Sequence, residues 1–399
     1  MTNPAILGPL NNLYEMQAQL LESVSESDAS YPYHQDFGSL KWIYGAAIHL
    51  ELYWLREVLD DDNDLTSRIK HLFQPGALPL SEQCRQLPPR DHLLNWGQEI
   101  RDEHLLRLAN PTLLPKHELL EEDRLQWFLV QEQAKFYETM LLVLNQRSLQ
   151  ISTEDYRVET PLIPCPPNWE IRELSQGHYR IGARNQPAAY DNELPPQAVQ
   201  LSSYRIALSP VSNSQFLAFM KSDGYTNLTI WSEEGKAWQT HAKKSHPAYW
   251  RQDDSGNWYA VGINGPADLP PDEPVYGINQ YEAQAYAAWV DSLGDELAGA
   301  FLQHEYQWEM AARSGVIKEI GRVWEWCSNP FQPYPEFTPF PDETASMSDF
   351  NTGKVTLRGG SIHTQPVLRR PSLRHRAQAA QRDQFSGLRL VFPPKHSWT

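Results

Sequence analysis

The chain has 399 residues, more than one hydrophobic core usually serves, so two domains are expected. Its 50 acidic residues against 34 basic ones leave a net charge of −16, a field that repels nucleic acid and anionic membrane surfaces. No run approaches the ~18 apolar residues needed to cross a bilayer, and the opening MTNPAILGPLNNLYEMQAQL has no basic flank followed by an apolar stretch, so a cytoplasmic location is expected.

In chain order, residues 1–150 read as helices. LGPLNNLYEMQAQLLESVS and GSLKWIYGAAIHLELYWLREVLD carry apolar residues at helical spacing. A third helix runs through SEQCRQLPPRDHLLNWGQEIRDEHLLRLA with a break at Pro88–Pro89. A fourth covers DRLQWFLVQEQAKFYETMLLVLNQ, preceded by KHELLEED. Four such helices with short connections predict an up-and-down bundle. Residues 151–172 read as an extended linker, because Pro161, Pro164, Pro166 and Pro167 forbid a regular helix. From 173 to 399 short β-like runs follow: HYRIGA, VQLSSYRIAL, WYAVGI, VTLRGGS and FSGLRLVF. Helices interrupt them at SNSQFLAFMKSDG, capped by Ser212 or Asn213, at NQYEAQAYAAWVDSLG and at EYQWEMAARSG. The class is therefore α+β. Fourteen tryptophans, four of them within 231–258, suit a loop-rich domain with an aromatic core. The three cysteines, Cys84, Cys165 and Cys327, form neither a zinc pattern nor a disulfide framework, and each reads as a buried small hydrophobe.

Five blocks carry a resemblance: AAYDNELPPQAVQLSSYRIALSPVSNSQFLAFMKSDGY, PVYGINQYEAQAYAAWV, LQHEYQWEMAAR, GRVWEWCSNPFQPYPEF and LRGGSIHTQPVLRRPSLRHRAQAAQRDQFSGLRLVF. In this order, over residues 175–393, they resemble the formylglycine-generating-enzyme-like domain. With a helical bundle in front, the chain resembles the ergothioneine- and ovothiol-type sulfoxide synthases. The resemblance implies a DinB-like bundle, a C-type-lectin-like second domain and non-haem iron. It also implies an O2-dependent reaction that joins a histidine derivative to a thiol and leaves a sulfoxide.

The family's iron is held by three histidines, one from an early Trp-His-x-x-His helix and two from a later His-x-x-x-His helix. Residues i and i+4 share a helix face, so two imidazoles can share one ion. Here KWIYGAAIHLELYW puts Ala46 at the first position, and QEQAKFYE puts Gln131 and Lys135 at the other two. None is an imidazole. His49 and Glu138 are fallback ligands in a rearranged site. The other reading makes His49, Gln131, Lys135 and Glu138 a polar cluster, with the Lys135 ammonium in the cation's place and held by Glu138.

The second domain departs from the pattern too. SIHTQPVLRRPSLRHR has no cysteine, which excludes the copper-thiolate chemistry of true formylglycine-generating enzymes. The family's proton-donating tyrosine falls near PYPEFTPF, where Phe337 takes the matching position and Tyr334 is close by. Arg374 is kept, His375 replaces an asparagine, and Ala377 stands where an acidic substrate contact is expected. Gly359 and Gly360 point to positive φ or close backbone packing. Arg358 and Arg389 either bind a ligand carboxylate or anchor backbone carbonyls. Arg369, Arg370, Arg374 and Arg376, with His363 and His375, form either an anion-binding patch or a solvated loop.

Three functional readings follow. The leading one is a family member without iron or other cofactor, a small-ligand-binding or regulatory relative with an anionic ligand and a paralogous protein partner. Its ligand residues would be Gln131, Glu138, Arg358, His363, Arg374, His375 and Arg376. The alternative is an iron-dependent oxidoreductase with rearranged ligands, forming C–S bonds with Tyr334 as proton donor. The third is a non-oxidative enzyme using Lys135 or Tyr137 as acid or base.

Overall fold

The computed structural model describes residues 4–151, 156–343 and 345–395, the side chains of Pro4 and Pro111 excepted. The chain divides into two compact units, Met1–Ser152 with Thr364–Leu368, and Thr153–His363 with Arg369–Thr399.

The first unit is helical. Its α-helices are α1 (Pro4–Glu22), α2 (Glu26–Ser30), α3 (Leu40–Leu52), α4 (Asp64–Phe73), α5 (Leu80–Arg85), α6 (Arg90–Ala109) and α7 (Arg124–Gln150). The break at Pro88–Pro89 separates α5 from α6, because neither proline can donate to the helical ladder. The helix α4 has no counterpart in the sequence reading, where it was hidden in the connection after α3. The four long helices α1, α3, α6 and α7 pack against one another. Gly45 permits one close approach: a Cβ there would stand 2.0 Å from Phe73 Cε1 of α4. Beyond α3 the helix widens into a π segment, Tyr53–Val58, which carries the buried Trp54 edge-on to Phe128 of α7.

A polar network crosses this core. The Arg101 guanidinium lies between the rings of Tyr14 and Tyr44, 4.5 Å from each centroid, and donates to the Gln17 side-chain oxygen. Gln17 Nε2 donates to Gln133 Oε1 at 2.9 Å, and Gln133 Nε2 donates to Ala47 O at 2.8 Å. Tyr14 Oη donates to Glu51 Oε2 at 2.7 Å, and His104 Nδ1 lies 2.9 Å from the same oxygen. Polar groups from four helices thereby meet one another away from water, while Glu51 Oε1, Arg101 Nε and His104 Nε2 find no partner among the described residues.

The second unit holds four small sheets. One has strand order β1-β4-β13-β8 and another β11-β10-β9-β12; β2 pairs with β3, and β5-β6-β7 form a meander. The strands are β1 (Ile171–Leu174), β2 (Gly177–Ile181), β3 (Gln197–Leu201), β4 (Tyr204–Ala207), β5 (Trp250–Gln252), β6 (Trp258–Gly262) and β7 (Gly265–Asp268). They continue as β8 (Phe301–Leu302), β9 (Trp324–Pro330), β10 (Lys354–Arg358), β11 (His375–Gln378), β12 (Ser386–Gly387) and β13 (Leu390–Phe392). The helices are α8 (Asn213–Lys221), α9 (Glu233–Ala242), α10 (Gln280–Ser292) and α11 (Glu305–Arg313). Ser212 caps α8 in a reciprocal box with Gln215, and Asn279 caps α10 in another with Glu282. Phe216, Phe219, Tyr225, Tyr286 and Trp289 stack and edge against one another, so the core is aromatic as the composition suggests. Gly359 and Gly360 take φ of 97° and 83°, and a Cβ on Gly359 would stand 3.2 Å from Trp308.

The proline-rich stretch is laid onto this unit. Cys165 N donates to Ser214 O at 3.0 Å, Gln215 Nε2 donates to Asn168 O at 3.0 Å, and Leu208 N donates to Glu170 O at 2.9 Å. Cys165 is exposed there, against the expectation of a buried hydrophobe, because prolines on either side hold its extended backbone at the surface. Cys84 and Cys327 are buried.

Arg389, fully buried, donates to both oxygens of the fully buried Glu325 at 2.8 Å and to the carbonyls of Ala207, Leu208 and Lys318. Arg389→Met would leave Glu325 charged and unpaired in the core. The expected loss is about 3–5 kcal/mol of unfolding free energy in denaturant titration; a loss below about 1 kcal/mol would show that the pair is not holding the unit together.

Candidate functional site

The helices α3 and α7 carry the positions where the resemblance places imidazoles. Ala46 is buried in α3 and offers no donor. Gln131, Lys135 and Glu138 follow one stripe of α7 at i, i+4 and i+7. Gln131 is buried, and its Nε2 donates to Trp127 O at 2.9 Å, one turn back on its own helix. The Lys135 ammonium pairs with Glu132 at 2.5 Å, three residues earlier rather than three later, with a third of its side chain exposed. Glu138 is buried and accepts from Thr364 Oγ1 at 2.9 Å. The ion pair of Lys135 is thus with Glu132, the less buried carboxylate, rather than with Glu138 as expected, and its charge stays partly hydrated. Tyr137 is half-buried, and burial raises its hydroxyl above the usual range. His49 lies at the C-terminal end of α3 with Nε2 buried and unpartnered. Its burial lowers its pKa, against the opposing pull of Glu57. Among the described residues, no three His, Cys, Asp or Glu side chains converge as a metal-binding group.

In the second unit the arginines do not form an anion patch. Arg358 is fully buried, ion-paired with Glu309 of α11, and donates to Ser372 O and Leu373 O at 2.9 Å. Arg374 is buried and makes a two-pronged pair with Glu305, at 2.8 and 2.9 Å. Arg376 pairs with Asp349 and Arg370 with Glu193. Arg369 is exposed. Each paired guanidinium has its charge met inside the unit, which corrects Arg358, Arg374 and Arg376 as ligand residues: their forks are already committed to carboxylates or backbone carbonyls. Burial works to raise the Glu305 carboxyl, but Arg374 and Arg358 hold it below the usual carboxylate range.

Tyr334 is buried, with the Arg374 guanidinium 4.3 Å from its ring centroid, and its Oη has no hydrogen-bond partner among the described residues. Burial and then the charge of Glu305 push its pKa well up, so it stays protonated. Phe337 packs edge-on to Phe350 at 5.2 Å, as an ordinary core contact. Ala377 is buried on β11 opposite Val355. His375 lies against Trp324 at 4.6 Å and His363 against Phe385 at 4.5 Å. Sequence reasoning missed Glu305 and Glu309, the partners of Arg374 and Arg358. Their i, i+4 spacing in EYQWEMAAR, which puts two acids on one helix face, was the available signal.

Clefts open in this unit, among them two of similar size. One of about 540 Å³ is lined by Tyr204, Phe301, His304, Tyr306, Gln307 and Ser328 among others. The other, about 490 Å³, is bordered by Trp169, Arg205, Glu296 and Lys395. The site residues expected from the sequence line neither.

Lys135→Ala is expected to lower unfolding free energy by less than about 1 kcal/mol, the range of a partly exposed i, i+3 pair. A loss of several kcal/mol in denaturant titration would restore a buried role for the ammonium. His363 titrates near 4 in the folded protein because burial disfavours its charge, against 6.5 for a free histidine. The unfolded chain then binds the extra proton first, so this residue makes stability fall as pH drops from about 6.5 to about 4. His49, His246 and His304 are shifted the same way by burial. Chemical denaturation across that window should show a shallower fall in His363→Gln, and an unchanged slope would contradict the assignment.

The second unit matches the sulfatase-modifying factor enzyme 1-like domain over residues 170–319 and 314–393. The hercynine oxygenase of Mycobacterium tuberculosis is 30% identical over 256 residues, which cover 53% of this chain and 58% of that protein. The hercynine oxygenase of Mycolicibacterium smegmatis is likewise 30% identical, over 260 residues, with the same coverage. The formylglycine-generating enzyme of Thermomonospora curvata is 32% identical over 156 residues, 35% of this chain and 47% of that enzyme. The chain thus spans little more than half the length of the hercynine oxygenases it matches. No helix among the described residues is long and apolar enough to cross a membrane. The matched domain extends over more than half of the sequence, and the chain belongs to the sulfatase-modifying factor enzyme 1-like domain family.

Proposed function

We propose that this chain is an oxygen-dependent oxidoreductase of the ergothioneine type, acting on a small histidine-derived substrate and a sulfur donor. The observation that carries this reading is its 30% identity with two hercynine oxygenases, over 256 and 260 residues. The finer architecture belongs to the same proposal: a DinB-like helical unit and a C-type-lectin-like second unit, in the cytoplasm. Tyr334 would be a proton donor, since burial keeps its hydroxyl protonated and that hydroxyl has no other partner among the described residues. Tyr137, also kept protonated by burial, and Lys135 are further acid–base candidates. Gln131, Glu138, His363 and His375 are candidates for ligand contact.

The residues present do not fit the family's three-imidazole iron site. Ala46 has no donor, Gln131 is bonded back to its own helix, and the Lys135 ammonium repels a cation. His49 and Glu138 supply one imidazole and one carboxylate, short of a full set. Iron on this chain would need a rearranged ligand set that starts from His49 and Glu138. The same misfit favours a second reading, a small-ligand-binding relative with a paralogous protein partner and no oxygenase chemistry.

Metal content of freshly purified protein, with oxygen uptake on adding hercynine and a thiol, separates the two. The oxygenase reading expects about one iron per chain and uptake that needs both substrates. Protein that holds less than a tenth of that iron after reconstitution, and takes up no oxygen, would sink it and leave the second reading standing.

A further inference from the structure

We infer that residues 156–160 form a releasable strap, held on the second unit by the charge of two carboxylates, Asp253 and Asp268. Asp253 sits in the turn between β5 and β6, and Asp268 ends β7. Asp268 stands opposite Tyr259 in the meander register. Three groups of the strap converge on Asp268: Tyr156 Oη at 2.8 Å and Glu159 N at 3.3 Å on Oδ1, and Thr160 N at 2.7 Å on Oδ2. Val158 N donates to Asp253 Oδ2 at 3.1 Å. The Tyr156 ring packs against Tyr259 with centroids 4.8 Å apart.

Charge makes this more than an ordinary loop contact. Asp253 and Asp268 repel each other, and neither forms an ion pair with a lysine, arginine or histidine among the described residues. Their negative charge is met by N–H and O–H groups. On Asp253 these include the turn's own Ser255 N and Asn257 N, both on Oδ1. On Asp268 every such donor among the described residues comes from the strap. An ionised acceptor roughly doubles the strength of each bond, so removing the charge weakens all of the strap's bonds together. The meander keeps its own ladder from β5 to β7, which does not pass through these carboxylates. The strap can therefore leave while the meander stays folded. Arg157, flanked by Tyr156 and Val158, places a tryptic site within the strap.

The test is hydrogen exchange at neutral pH on the full chain, with limited trypsin digestion. Asp253→Asn combined with Asp268→Asn should speed exchange of the Val158, Glu159 and Thr160 amides at least about tenfold and raise cleavage after Arg157 by a similar factor, the loss expected when charge-assisted bonds become neutral. Exchange in Trp258–Gly262 should not change. Tyr156→Phe, which keeps both charges, should move strap exchange less than about threefold. Unchanged exchange in the double variant would overturn the proposal. So would equal acceleration in β6, because the strap would then be part of the meander's own folding unit.

Discussion

The second unit depends on arginine–carboxylate pairs taken out of water. Arg389 on Glu325, Arg358 on Glu309, Arg374 on Glu305 and Arg382 on Glu282 each join the C-terminal segment to an element earlier in the chain. A guanidinium has five donors in a planar fork, so after meeting a carboxylate it still has N–H groups for backbone carbonyls. Arg389 uses them on Ala207, Leu208 and Lys318, and Arg358 on Ser372 and Leu373. This suits a domain of many loops and short strands, where backbone carbonyls would otherwise be buried without partners. The same carboxylates do second tasks. Glu282 closes the capping box of α10 and accepts from Tyr225, while Glu325 also accepts from Trp308 Nε1 and Gln303. Desolvating such pairs costs several kcal/mol per ion, so they fix which segments meet more than they add net stability.

The helical unit solves a related problem with fewer charges. Arg101 enters the core between two tyrosine rings, which stabilise it through their faces while Gln17 Oε1 accepts a hydrogen bond from its Nη2. Tyr14 and His104 approach one oxygen of Glu51, leaving Oε1 bare. Burial comes first in raising the Tyr14 hydroxyl far above its ordinary range, with the Glu51 charge adding to it. Because these partners come from α1, α3, α6 and α7, a one-turn slip of any helix would strand a polar group. The network therefore specifies register, which an aliphatic seam alone fixes only loosely.

Much of this was readable from residue order. Helical periodicity gave α1, α3 and α7, and Pro88–Pro89 gave the α5–α6 break, because these are local rules. Gly359 and Gly360 announced positive φ for the same reason. VQLSSYRIAL read as one run but folds as β3 and β4, since the turn at Ser202–Ser203 contains neither glycine nor proline. The fate of the arginines was not legible. An arginine-rich loop looks solvated until its acids are known, and Glu305 and Glu309 lie some 50 to 70 residues earlier. The strap was equally hidden, because its aspartates are 95 to 109 residues from the amides they hold.

The positions where the resemblance places imidazoles have a local logic of their own. A buried histidine that serves a metal has an unsatisfied nitrogen when the metal leaves, and that state is costly. On α7 the polar side chains at these positions find partners on the helix itself. The Gln131 amide turns back one turn to Trp127 O, and the Lys135 ammonium stays partly hydrated beside Glu132. Ala46 has no polar atom to satisfy. His49 is the exception, an imidazole whose Nε2 is buried without a partner at the end of α3. Burial keeps that ring neutral near physiological pH, so its free nitrogen has a lone pair or a proton to offer a ligand rather than a positive charge. Chemistry in this unit that needs an imidazole has His49 to draw on, and α7 contributes amide, ammonium and carboxylate instead.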